Sequence, residues 1–124
     1  MQKSSPVVAV VDDDLSILQS LEYLLESADY VVRLFASAVE LLDSGCLAEV
    51  DCLISDVDMP GKDGFELIRQ ARATKPGLPV ILVTGYPDRV AQLPPLPGEA
   101  PRLFTKPFQG AELLDALEKA LSSG

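Results

Sequence analysis

The chain contains no histidine. Without imidazole there is no Ser-His-Asp or Cys-His catalysis, no imidazole metal ligand and no phosphohistidine on this chain. Cysteine is scarce as well. Cys46 and Cys52 have neither CxxC nor metal-site spacing, so they read as small apolar residues of a reduced compartment, with a local disulfide as the alternative. No apolar run approaches the ~18 residues of a membrane span, and the opening MQKSSP lacks a signal-peptide core. A cytoplasmic location without a membrane partner is expected. Basic residues are few, 10 against 19 acidic, for a formal charge of -9. A field of that sign repels phosphate backbones, so direct nucleic-acid binding is not expected. Carboxylates, hydroxyls, lysine and the backbone are left to do the chemistry.

What is present suits a globular domain. With 124 residues, 48% hydrophobic and 23% charged, the chain closes a core without staples and is expected to form a single domain over 1–124. Short β-branched runs alternate five times with amphipathic stretches. Pro6 to Val11 is continuously apolar, the mark of a strand buried on both faces. Leu18, Leu21, Leu25 and Ala28 then recur at helical spacing, widened by Ile17 and Leu24, with Asp14 as the cap. Tyr30 to Phe35 is a second strand. Ser37 to Glu40 is a capping-box pattern in which Ser37 caps a short helix and Glu40 reaches back, the helix ending near Gly45. Asp51 to Asp56 and Pro79 to Thr84 are the third and fourth strands, separated by a loop at 59–64 and a helical face on Phe65, Ile68 and Ala71. A short strand over Arg102 to Thr105 and a stripe on Leu113, Leu114, Leu117 and Leu121 complete the series. Such alternation gives a doubly wound α/β parallel sheet with helices on both faces. Prolines at 94, 95, 97 and 101 limit the fourth helix to a turn or two after Pro87.

The chemical residues fall at the carboxyl ends of these strands. Asp12 and Asp13 follow the first, Asp56 ends the third, Thr84 ends the fourth and Lys106 follows the fifth. In an open parallel sheet these ends share the rim where ligands bind. Carboxylates gathered there call for a cation, and an all-oxygen donor set suits Mg²⁺, with Mn²⁺ as the alternative. With a hydroxyl at Thr84 and a point charge at Lys106, Asp56 is equipped as an aspartyl-phosphate nucleophile. Singly, each residue also has a plainer explanation as a turn former, a strand residue or a solvated charge.

VVDDD at 10–14, LISDVDMPGKDGFEL at 53–67, VILVTG at 80–85 and FTKPF at 104–108 resemble a bacterial response-regulator receiver domain over essentially the whole chain. The pattern is most similar to receivers of the nitrogen-fixation regulator type. The resemblance implies a flavodoxin-like (βα)5 fold with strand order 2-1-3-4-5. It implies two-component signalling, with Asp56 as phosphoacceptor, Asp13 on Mg²⁺ directly, Asp12 through water and the Asp58 backbone carbonyl as a further ligand. Thr84 would follow the phosphoryl group, Lys106 would pair with it, and Lys106–Pro107 would be cis. The implied partners are a sensor histidine kinase or phosphotransfer protein and a downstream effector or output domain, with a weak homodimer as a further option. The domain would be no enzyme beyond assisting its own phosphorylation and dephosphorylation.

Two departures stand out. Receivers usually carry an aromatic residue three positions before the lysine, where this chain has Leu103. The aromatic is Phe104, which by strand alternation faces the other way unless a bulge intervenes. The second is the proline-rich 87–101 segment, whose ordering or displacement is the expected signalling motion. Asp58 and Tyr86, each two residues past a chemical position, are expected to affect the access or reactivity of hydrolytic water. Two other readings remain: a phosphorylation-independent pseudo-receiver, favoured by Leu103, and a haloacid-dehalogenase-like phosphatase, suggested by Asp56-Val57-Asp58. Against the phosphatase, this chain lacks the cap insertion and the acidic pair after Lys106 that such enzymes carry; only Glu112, Asp115 and Glu118 of the last helix follow.

Overall fold

A computed structural model describes residues 5–58, 64–90 and 101–122. The five β-branched runs form one parallel sheet: β1 (Val7–Val11), β2 (Val31–Phe35), β3 (Cys52–Asp56), β4 (Val80–Thr84) and β5 (Arg102–Thr105). They lie in the order β2-β1-β3-β4-β5. Between them come α1 (Leu15–Ser27), α2 (Ala38–Ser44), α3 (Gly64–Thr74) and α4 (Pro87–Val90), and α5 (Gly110–Ser122) follows β5. The sheet order is the expected one. Helix α4 has four residues; the remainder of the proline-rich stretch, 91–100, and the loop at 59–63 lie outside the described residues.

Alternation along the central strands sorts their side chains into two cores. Ala9, Val11, Leu53 and Leu82 pack with Leu41 of α2 and Ile68 of α3. Val8, Val10, Ile54 and Ile81 pack with Leu21 and Leu25 of α1 and Leu113 and Leu117 of α5. Each fully buried aliphatic side chain contributes about 1.5–3 kcal/mol relative to exposure, so β1, β3 and β4 are fixed by apolar contact on both faces.

Local capping follows the sequence closely. The Asp14 side chain accepts the Ser16 N–H at 2.9 Å and caps α1. Ser37 caps α2 by accepting the Glu40 N–H at 3.2 Å. Glu40 reaches back one residue further than a capping box requires, its Oε1 accepting the Ala36 N–H at 3.3 Å. Gly45 ends α2 at φ 76°, the left-handed conformation that glycine adopts without a Cβ penalty. A 3-10 turn over Cys46–Glu49, not anticipated from the sequence, then leads to β3.

The cysteines are free and belong to opposite cores, Cys46 against the α2/α3 side and Cys52 within the α1/α5 side. Burial pushes the Cys52 thiol up to about 12, which leaves it protonated and inert.

Candidate functional site

All five chemical positions read from the sequence arrive at one rim. Asp12 lies just beyond β1 and is 1% exposed, while Asp56 at the end of β3 is 5% exposed. Lys106, which follows β5, links them: its Nζ lies 3.0 Å from Asp12 Oδ2 and 3.4 Å from Asp56 Oδ2. The backbone steadies all three. Lys106 N–H donates to the Thr84 carbonyl at 2.7 Å, which extends the β4–β5 ladder by one residue. Asp12 Oδ1 accepts the Asp14 N–H at 2.9 Å, and Asp56 Oδ1 accepts the Asp58 N–H at 3.3 Å. The Lys106–Pro107 peptide is cis.

Close approach at this rim dictates one further residue. Gly64, which opens α3, donates its N–H to the Val57 carbonyl at 3.1 Å. A Cβ at Gly64 would sit 2.5 Å from the Asp56 carbonyl oxygen and 3.0 Å from Val57 Cα. Glycine is required there because backbone meets backbone. The sequence placed Gly64 only in a loop; its position eight residues after the acid was the available signal.

The electrostatics are those of crowded carboxylates. Burial, and then the neighbouring Asp12 charge, raise the Asp56 pKa above the usual carboxylate value, and Lys106 only partly offsets them. Burial works against the Lys106 charge, but its hydrogen bond to Asp12 and the charges of Asp12 and Asp56 outweigh that cost, so its pKa stands above the lysine norm. Buried Asp12, exposed Asp13 and buried Asp56 form a cluster in which one carboxylate oxygen from each lies within 4.8 Å of the others. Such a hard-oxygen set, with more negative charge than Lys106 neutralises, fits a small divalent cation.

Thr84 is at the same rim but turned elsewhere. Its buried hydroxyl donates to Asp58 Oδ2 at 3.0 Å and accepts the Tyr86 N–H at 2.9 Å. The sequence assigned Asp58 a backbone role and an effect on water; its side-chain bond to Thr84 was missed. The DxD spacing was the only signal, and it does not say which way a side chain turns.

The β4–β5 register is continuous, with Leu82 opposite Leu103 and Val83 opposite Phe104. No bulge brings Phe104 round. Phe104 joins the α1/α5 core, edge-on to Phe108 with centroids 6.3 Å apart, and Leu103 is 40% exposed.

With this geometry, comparison with known proteins is decisive. The family model for the response regulator receiver domain matches residues 8–118. The chain belongs to that family. The transcriptional regulatory protein FixJ of Bradyrhizobium diazoefficiens is 34% identical over 114 residues, covering 92% of this chain and 56% of that protein. The DNA-binding transcriptional regulator NtrC of Escherichia coli is 36% identical over 116 residues, covering 94% of this chain and 25% of that one. The receiver chain thus spans about half of the first relative and a quarter of the second. A solved signal receiver domain of an HD domain-containing protein from Pseudomonas fluorescens superposes with a TM-score of 0.85 at 34% identity, covering 96% of each chain. Membership replaces the phosphatase alternative. No described helix of the receiver is long and apolar enough to cross a membrane.

Proposed function

We propose that this receiver takes a phosphoryl group onto Asp56 from a histidine kinase or phosphotransfer protein, in the cytoplasm, and passes the signal to an effector or output domain. The observation that carries the reading is Lys106 bridging Asp12 and Asp56 at the carboxyl rim of the sheet. Residues 1–124 act as one domain in this reading, a signalling phosphoacceptor rather than a turnover enzyme.

Asp56 is held by β3 and by the Asp58 N–H, so one carboxylate oxygen remains directed at the rim. That oxygen attacks phosphorus in line. A P–O bond forms, the P–N bond to the donor imidazole breaks, and the imidazole leaves with the bonding pair. Lys106 brings a fixed positive charge to the place where the phosphoryl oxygens arrive. Asp12 and Asp13, with Asp56 and the Asp58 carbonyl, would hold Mg²⁺ or Mn²⁺. The bound ion supplies positive charge that offsets the anionic oxygens during transfer. The buried end of the site, with Asp12 and Asp56 almost removed from solvent, limits competing hydration.

The test is intact-protein mass after incubation with acetyl phosphate, with and without Mg²⁺, beside Asp56→Asn. The expected result is one phosphoryl adduct on the wild type, dependent on Mg²⁺ and absent from the variant. An exposed Leu103 in unbroken register favours a second reading, the phosphorylation-independent interaction module. A folded wild-type chain that binds Mg²⁺ yet gains no mass would select that reading.

A further inference from the structure

A threonine hydroxyl has one hydrogen to give. In Thr84 it is given to Asp58 Oδ2 at 3.0 Å, while the oxygen is occupied by the Tyr86 N–H at 2.9 Å. The hydroxyl expected to receive a phosphoryl group on Asp56 is therefore already committed to a different carboxylate. We propose that Asp58 is a latch: its side chain holds the Thr84 hydroxyl in the unphosphorylated protein, and a phosphoryl group on Asp56 must draw that hydroxyl away from it. The inference rests on the reading of Asp56 as acceptor.

Three features support a competition between the two acceptors. Asp58 and Asp56 are carried on the same short stretch, joined by the Asp58 N–H to Asp56 Oδ1 bond at 3.3 Å. A phosphoryl group therefore arrives close to the Asp58 carboxylate and repels it, with a charge of roughly -1.5 to -2. The donor is buried, so solvent does not replace a lost partner at low cost. Finally, the Thr84 oxygen anchors the amide of Tyr86, one residue before α4 begins. When the hydroxyl changes partner, the acceptor seen by that amide moves with it. The event at Asp56 thus has a backbone route to the start of α4 that needs no aromatic residue in place of Leu103. Asp58 is a positioning residue in this scheme, acting through Thr84.

Five proteins test the latch: wild type, Asp58→Ala, Asp58→Asn, Thr84→Val and the Asp58→Ala/Thr84→Val double variant. Urea unfolding without a phosphodonor should give non-additive effects, because Asp58 and Thr84 share one bond in that state. Additive effects would overturn the latch. Phosphoryl loss is then followed by intact mass after acetyl phosphate and Mg²⁺ are removed. With Thr84 present, Asp58→Ala should slow the loss of phosphoryl about tenfold, the scale of one hydrogen bond to a charged partner. In the Thr84→Val background the same substitution should change it by less than about threefold. Asp58→Asn, which keeps an oxygen acceptor without the charge, should fall between wild type and Asp58→Ala. An equal change in both backgrounds would show that Asp58 acts on water or on the ion, and would overturn the latch alone. A wild type that acquires no phosphoryl group would overturn the acceptor reading and this inference with it.

Discussion

Strands β3 and β5 both end at the site, yet different forces hold them there. Every residue of β3 is buried, and the strand is hydrogen-bonded to β1 on one side and β4 on the other. Strand β5 is at the edge of the sheet, with Phe104 its only half-buried residue. The acid on β3 is therefore positioned by the core. The lysine after β5 is positioned by one ladder, its N–H on the Thr84 carbonyl, and its two ion pairs. Apolar packing fixes the strand that carries Asp56, and electrostatics place the lysine beside it. A receiver built this way can alter its edge without disturbing Asp56, the proposed acceptor.

The largest effect should come from cutting the packing under β3. Ile54 is fully buried between the sheet and the α1/α5 layer. Ile54→Ala is expected to destabilise the fold by about 3 kcal/mol through lost transfer energy and the cavity left behind. Urea unfolding at neutral pH measures it. A loss below about 1 kcal/mol would mean that the core does not hold β3.

The contrast also explains what the sequence revealed. Strand β3 was legible as the short apolar run Cys52-Leu53-Ile54 set between the acids Asp51 and Asp56. Caps at Asp14 and Ser37 were legible because their bonds are local. Glu40 went to Ala36 rather than to its own cap because two adjacent N–H groups compete and only geometry chooses between them. The Thr84–Asp58 bond was hidden for the same reason: the partners are 26 positions apart and each had another plausible partner. In β5 the spacing correctly showed that Phe104 could not take the place of Leu103, but only the pairing register excluded a bulge.

A smaller effect of opposite sign should follow from neutralising Asp56. Burial and the Asp12 charge raise the Asp56 pKa in the folded protein. A raised carboxyl pKa contributes stability that is fully present below the unfolded value, roughly pH 4, and is lost as pH rises through the folded value. Asp56→Asn removes that loss while leaving Lys106 its closer bond to Asp12. At pH 7 without divalent cation the variant should be more stable than wild type by about 1 kcal/mol, a typical single-site effect. The advantage should shrink as pH falls toward 4, and also when Mg²⁺ stabilises the wild type alone. Urea midpoints across pH 3.5–7.5 decide the matter. An advantage that grows toward acid pH would contradict the assigned cause.

The smallest effect should be at the edge. Leu103 is 40% exposed and pairs with Leu82 in an unbroken register. Its side chain is far less enclosed than Ile54, and the β5 ladder bonds involve only the backbone, which Leu103→Ala leaves in place. Exposed positions away from caps, cores and buried polar groups usually change stability by no more than about 0.5 kcal/mol. Leu103→Ala should stay within that limit, and its phosphoryl uptake from acetyl phosphate should match wild type, because Lys106 is held by Thr84, Asp12 and Asp56. A loss approaching that of Ile54→Ala would show that β5 is packed as β3 is, and the division between a core-held acid and an electrostatically held lysine would no longer stand. Normal stability with impaired uptake would instead place Leu103 in the route by which Lys106 meets the phosphoryl group.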